Sequence, residues 1–184
     1  MEKKLKIYTP NNTFKVDKRL LSLFLLWSIS FLIYSTKSGF PSNEENLELL
    51  GFVFGITAFL YFLYIMTSNF FICETTNGEY SGYLIIDSGK ITCNLDVYII
   101  YEIEKIVILS DSFCGKFNGK TMVLERKKSN GVKNYIEIFK KDGEYKKYYF
   151  LQTKTEDIGI FSDELRTYYR FGKLAEQNYK NIVE

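Results

Sequence analysis

Two long apolar runs near the start of the chain, residues 20–36 and 49–73, contain no charged side chain. A bilayer core about 30 Å thick is crossed by about 20 apolar helical residues, with about 17 as the short end of the range. The first run meets that lower limit, and the second is long enough to cross with tilt. A signal peptide would have a shorter apolar region, a small-residue cleavage site and no second span. A buried core helix would keep a polar face. Phe52, Val53, Phe54, Ile56, Phe59, Leu60, Phe62 and Leu63 leave none. The expectation is a transmembrane hairpin with spans at about 20–36 and 49–71.

Within the second run, Gly51, Gly55 and Ala58 recur at one-turn spacing. Small residues in that pattern let another helix backbone approach closely. The first span, with Ser22, Ser28 and Ser30, is the nearest partner; homodimerisation through the same face is the alternative. No ionisable side chain lies in either run, so a proton relay or charged-substrate path has no carrier. The hairpin reads as an anchor.

Charge is distributed unevenly along the chain. Residues 1–19 hold six basic residues against two acidic, the link between the runs holds one lysine against three glutamates, and the remainder is balanced. Basic residues flanking a first span hold that side in the cytoplasm. The expected placement is therefore a multi-pass membrane protein with both termini cytoplasmic and the link outside. Residues 1–19 read as a basic cytoplasmic arm, able to lie on anionic headgroups. A neutral domain with no basic excess argues against nucleic acid as a partner.

The chain has no histidine, which removes the commonest general base and zinc ligand. Cys73, Cys93 and Cys114 fit no paired metal spacing and should remain reduced thiols. Glu102 and Glu104 alternate on a strand-like run and read as a solvated face, and Ser110-Asp111-Ser112 has no base beside it. No phosphate-binding glycine loop is present. These readings point away from an enzyme and name no catalytic residue, metal or cofactor.

After Cys73, short β-branched and aromatic runs alternate with turn dipeptides: Asn77-Gly78, Ser88-Gly89, Asn118-Gly119, Asn130-Gly131 and Asp142-Gly143. Such dipeptides supply the positive φ of tight hairpins. The runs at 82–86, 90–93, 98–109, 121–125, 135–139 and 145–151, with a first strand at 69–75, predict about seven antiparallel strands in a barrel or sandwich. Thr153 and Glu156 have capping-box spacing, and Ile158, Phe161, Leu165 and Tyr168 repeat at the helical period. One helix over about 156–171, stopped at Gly172, is expected, with 173–184 as a polar tail or helix extension.

The stretch Gly82-Tyr-Leu-Ile-Ile-Asp-Ser-Gly-Lys-Ile-Thr, followed by Tyr98-Ile-Ile-Tyr-Glu-Ile-Glu-Lys-Ile-Val-Ile, resembles bacterial pleckstrin-homology-like (PH-like) domains that follow two membrane spans. The resemblance implies an α+β membrane protein, with a PH-like domain at 74–172 of seven strands closed by a C-terminal helix. In lipid-binding members of that fold, basic residues of the first hairpin hold inositol phosphates. The corresponding Thr75-Thr76-Asn77-Gly78-Glu79 has no basic residue, which favours the fold's use as a protein-binding platform. The expected function is a non-enzymatic, membrane-anchored interaction module that recruits or regulates a protein partner at the cytoplasmic face. The alternatives are an immunity-type protein that neutralises a toxin and a peripheral module that binds anionic lipid.

Counting strand directions as a simple meander from the second span divides the loops into two ends. Phe113, Phe117, Lys116, Lys120, Lys140, Lys141, Lys146 and Lys147 fall at the expected membrane-facing end. Arg126, Lys127, Lys128 and Lys133 fall at the opposite end, facing a partner.

Overall fold

The computed structural model describes residues 3–11, 13, 16–36, 44–119 and 124–183. The chain divides into two compact units. Met1–Thr13, Cys73–Lys120 and Lys127–Glu184 form one, and Phe14–Ile72 with Thr121–Arg126 form the other.

The second unit is built on the apolar hairpin, with α1 at Lys18–Thr36 and α2 at Glu44–Ser68. Both helices are long and apolar enough to cross a membrane. Asp17 starts α1 by accepting the Arg19 N–H at 2.9 Å, and its carboxylate pairs with the Arg19 guanidinium at 2.8 Å. That side-chain bond holds the Asp17 carboxyl below the usual range. Ser30 Oγ donates to the Gly51 carbonyl at 2.9 Å, and a Cβ added at Gly55 would lie 3.3 Å from the same Oγ. Ala58 is buried as well. The small-residue row therefore packs against α1, and most other side chains of the two helices are apolar and exposed. The link at 37–43 lies outside the described residues.

The first unit is a seven-stranded antiparallel sheet. Its strands are β1 (Leu5–Pro10), β2 (Gly78–Ile86), β3 (Lys90–Cys93), β4 (Asp96–Ile99), β5 (Ile103–Leu109), β6 (Asn134–Lys140) and β7 (Tyr145–Phe150), in the order β4-β3-β2-β1-β7-β6-β5. The expected basic arm is thus a strand at 5–10. Leu5 and Ile7 point into the core while Lys4 and Lys6 point out, and the strand lies between β2 and β7. The sheet unit is discontinuous in sequence, with the apolar hairpin inserted between its first and second strands. Among the described residues, 69–75 contribute one isolated bridge, Cys73 to Lys128, in place of the expected first strand.

The sheet is not a closed barrel, because β4 and β5 remain its two edges. The apolar run 98–109 breaks at a corner where the Glu102 N–H donates to the Ile99 carbonyl at 2.9 Å. Ile100 and Ile103 are both buried, so the alternation of one strand changes phase there. The edge at β5 is covered from the C-terminal side. Ile106 N–H donates to Lys173 O at 2.8 Å, and the Asn178 amide accepts from Ile108 N–H at 2.8 Å and donates to Ile108 O at 2.6 Å. A side-chain amide here replaces a neighbouring strand.

The helix expected over 156–171 is a 3-10 turn followed by a shorter α-helix, and the stretch expected as a tail or extension carries a separate helix. Thr153 Oγ1 accepts the Glu156 N–H at 3.0 Å, which is half of a capping box. A 3-10 turn at Ile158–Phe161 follows, capped by Asp157, then α3 at Ser162–Arg170 and α4 at Glu176–Val183. Gly172, at φ +68°, ends α3 as expected. Ile158, Phe161, Leu165 and Tyr168 all point into the core formed by Leu84, Ile106, Ile136, Ile138 and Phe150.

The segment joining β5 to β6 contains no strand at 124–125, and 121–123 lie outside the described residues. It folds back as a short ribbon in which Asn118 N–H donates to Lys127 O at 2.6 Å and Ser129 N–H donates to Lys116 O at 2.8 Å. Buried Asn134 fixes the start of the loop, accepting from Ser112 N–H at 3.0 Å and donating to Ser112 O at 2.7 Å. Gly131 takes φ +77°, and a Cβ there would strike the Gln152 carbonyl at 2.3 Å.

Candidate interaction face

Alternation along each strand sends one set of side chains into the core and the other to the outside of the sheet. At the centre of the outer set, register places four tyrosines in a row across four strands. Tyr80 pairs with Tyr8, Tyr8 with Tyr149, and Tyr149 with Tyr135. Ring centroids lie 5.9 Å apart in both the Tyr8–Tyr80 and Tyr135–Tyr149 pairs. Cross-strand aromatic pairs at this spacing stabilise a sheet by roughly 0.2–1 kcal/mol each.

Lysines frame the row. Lys147 Nζ sits 3.5 Å from the centroid of Tyr135 and 5.3 Å from that of Tyr149. Lys4 lies over Tyr83 at 4.8 Å and Lys6 over Tyr80 at 6.0 Å. Glu137 faces the same side, pairing with Lys147 at 3.1 Å and accepting from the Tyr145 hydroxyl at 3.0 Å. Its carboxylate, after burial itself, pushes the Tyr145 phenol up. Tyr8 is buried beneath its neighbours, whereas Tyr80 and Tyr145 are half exposed. The result is an aromatic surface rich in tyrosine, a residue type that protein interfaces favour, with ammonium groups along its border.

The other side of the sheet has its own polar cluster. Tyr148 hydroxyl lies 2.5 Å from both the Tyr98 hydroxyl and Asp96 Oδ2. Burial, with Asp96 accepting its proton, pushes the Tyr148 phenol far up, so this chain of bonds joins β7 to β4 in its neutral form. Cys93 is buried on β3, and desolvation pushes its thiol up. Cys114 is also raised, first by desolvation and then by the Cys73 thiol beside it.

The loop residues grouped by strand counting fall out differently. Lys116 and Phe117, expected at one end, pair with Lys127 and Lys128, expected at the other, in the same ribbon. The expected intervening strand is absent at 124–125, and 121–123 lie outside the described residues. Phe113 lies at the start of that loop, Lys120 lies outside the described residues, and Arg126 belongs to the hairpin unit. Lys133 precedes β6 and pairs with Glu74 at 2.8 Å. Lys140 and Lys141 lie at the other end of β6, where Lys140 binds Asp142 at 3.0 Å and Glu144 at 2.7 Å. Those bonds push Lys140 up and, with the Glu144 N–H on Asp142, hold both carboxyls down. Lys146 reaches Glu144 at 3.5 Å, while Lys147 belongs to the tyrosine face.

The tyrosine row is legible only once register is known, because its members come from residues 8, 80, 135 and 149. Comparison of the chain with protein-family models, with curated proteins and with solved structures returns no match.

Proposed function

We propose that this chain is a non-enzymatic, membrane-anchored interaction module whose tyrosine and lysine face receives a protein partner at the inner face of a bacterial membrane. The observation that carries this reading is the four-tyrosine row with its lysines on the outer face of a sheet interrupted by an apolar hairpin. The topology supports the anchor. Strand β1 precedes the hairpin and β2 to β7 follow it, so a sheet built from both requires an even number of crossings. Two spans satisfy that requirement. The six-to-one basic bias across the first span supports a cytoplasmic sheet. Seven antiparallel strands with a helix packed into them support the PH-like reading.

The face favours a partner segment that combines carboxylates with apolar groups, since Lys4 and Lys6 border the rings and the carboxylate of Glu137 is balanced by Lys147. A photo-crosslinking residue placed at Tyr80 or Tyr135 of the full chain, in its native membrane, tests this. A defined protein adduct from those positions, absent when the probe stands at exposed Lys154, is the expected result. No adduct, or the same adduct from Lys154, contradicts it.

A further inference from the structure

The two edges of the sheet are treated unequally. The edge at β5 is sealed by the backbone at Lys173 and by the Asn178 amide. At β4, the Ile100 N–H donates to Gly89 O at 2.9 Å, which fixes the phase of the ladder with β3. The pairs two residues on, Ile91–Tyr98 and Cys93–Asp96, make the bonds to β3. Val97 therefore turns its N–H and C=O away from β3, and Ile99 turns out its N–H, its carbonyl being taken by Glu102. The side chains beside these groups are apolar and exposed: Leu95 at 90%, Val97 at 53%, Ile99 at 47% and Tyr101 at 71%. Natural edges of this kind are normally blunted by charge or cover. Here the charged member, Asp96, points inward to Tyr148.

We propose that β4 is a self-association edge, pairing antiparallel with β4 of a second copy about a two-fold axis at Val97. That register lets the two Val97 residues exchange their outward N–H and C=O groups. It sets Leu95 opposite Ile99 of the second copy, so apolar meets apolar, and Asp96 opposite Tyr98, so no like charges face each other. An isologous contact requires this self-complementarity.

The size of the contact says where it operates. A stable dimer in solution buries about 800 Å² per partner. The five residues 95–99 paired in this register extend only about 17 Å at about 3.4 Å per residue, too short for that area. Two copies held in one membrane need much less affinity, because tethering raises their effective concentration. The edge thus forms a weak pair that the anchor makes populated.

The full chain, with Cys73, Cys93 and Cys114 replaced by serine, is oxidised mildly in its membrane after introducing Val97→Cys. The expected product is a disulfide-linked dimer of twice the chain mass, several-fold more abundant than with Tyr80→Cys, an equally exposed position on the outer face. Adding Val97→Lys to a chain that carries Leu95→Cys and Ile99→Cys should abolish the dimer those two cysteines give, without lowering the melting temperature. Equal crosslinking at Val97 and Tyr80, an adduct of another mass, or a dimer that survives Val97→Lys overturns the proposal. An adduct of another mass would assign the edge to an extended segment of a different protein.

Discussion

Excising the hairpin and truncating the chain after it should have opposite outcomes. A protein beginning at Cys73 loses β1, although it retains every other strand. Leu5 and Ile7 are almost fully buried, and each such side chain contributes about 1.5–3 kcal/mol by burial. Their loss removes roughly 3–6 kcal/mol, and it also leaves β2 and β7 without the backbone partner that joined them. Since a domain of this size is stable by about 5–15 kcal/mol, the truncated protein should not fold. Replacing 14–72 with a flexible linker keeps β1. Thr13 O accepts the Asn77 Nδ2–H at 2.7 Å, so the gap to close is the reach from Asn77 back to Cys73. Four residues span at most about 14 Å, and six glycine or serine residues extend to about 20 Å. The excised protein should be soluble and show a cooperative thermal transition and dispersed amide NMR signals, whereas the truncated one should show neither. A truncated protein that melts cooperatively at the same temperature as the excised one would refute β1 as a central strand.

In the excised protein, Phe161→Ala should cost about 3–5 kcal/mol as a fully buried aromatic, read by denaturant unfolding; an unchanged midpoint would mean that the 3-10 turn is not docked in the core. Asn178→Ala should leave the Ile108 N–H and C=O unpaired and cost about 1–3 kcal/mol, with amide exchange at Ile108 accelerating more than at Ile136. Lys140→Met should let the Asp142 and Glu144 carboxyls titrate higher by NMR. Their pKa values are depressed in the folded chain, so their contribution is present above the ordinary carboxylate range and is lost as pH falls through the lowered values; removing Lys140 shrinks that acid-side loss.

The sequence made the hairpin plain because a charge-free run of this length has few other uses. It also showed β2, β3, β6 and β7, where turn residues bound each apolar run. β1 was hidden by its own outer face, since Lys4 and Lys6 counted as topology signals and only Leu5 and Ile7 remained to show a period of two. The corner at 100–102 has no glycine or proline, so β4 and β5 read as one strand. The tyrosine row comes from register, which joins residue 8 to residues 80 and 149 across the hairpin. No local pattern contains that information, nor the pairing that brings Asn118 beside Lys127 and Lys116 beside Ser129.

If the chain enters and leaves the membrane between β1 and β2, its one sheet is assembled on one side. Single cysteines at Lys3, Ser42 and Lys141, each in a full chain otherwise free of cysteine, can be labelled in intact cells with a reagent that does not cross the membrane. The cysteine at Ser42 should be labelled from outside, and those at Lys3 and Lys141 should react only after the membrane is opened. Labelling of Lys3 and Lys141 positions from opposite sides, or of all three from one side, would contradict this arrangement.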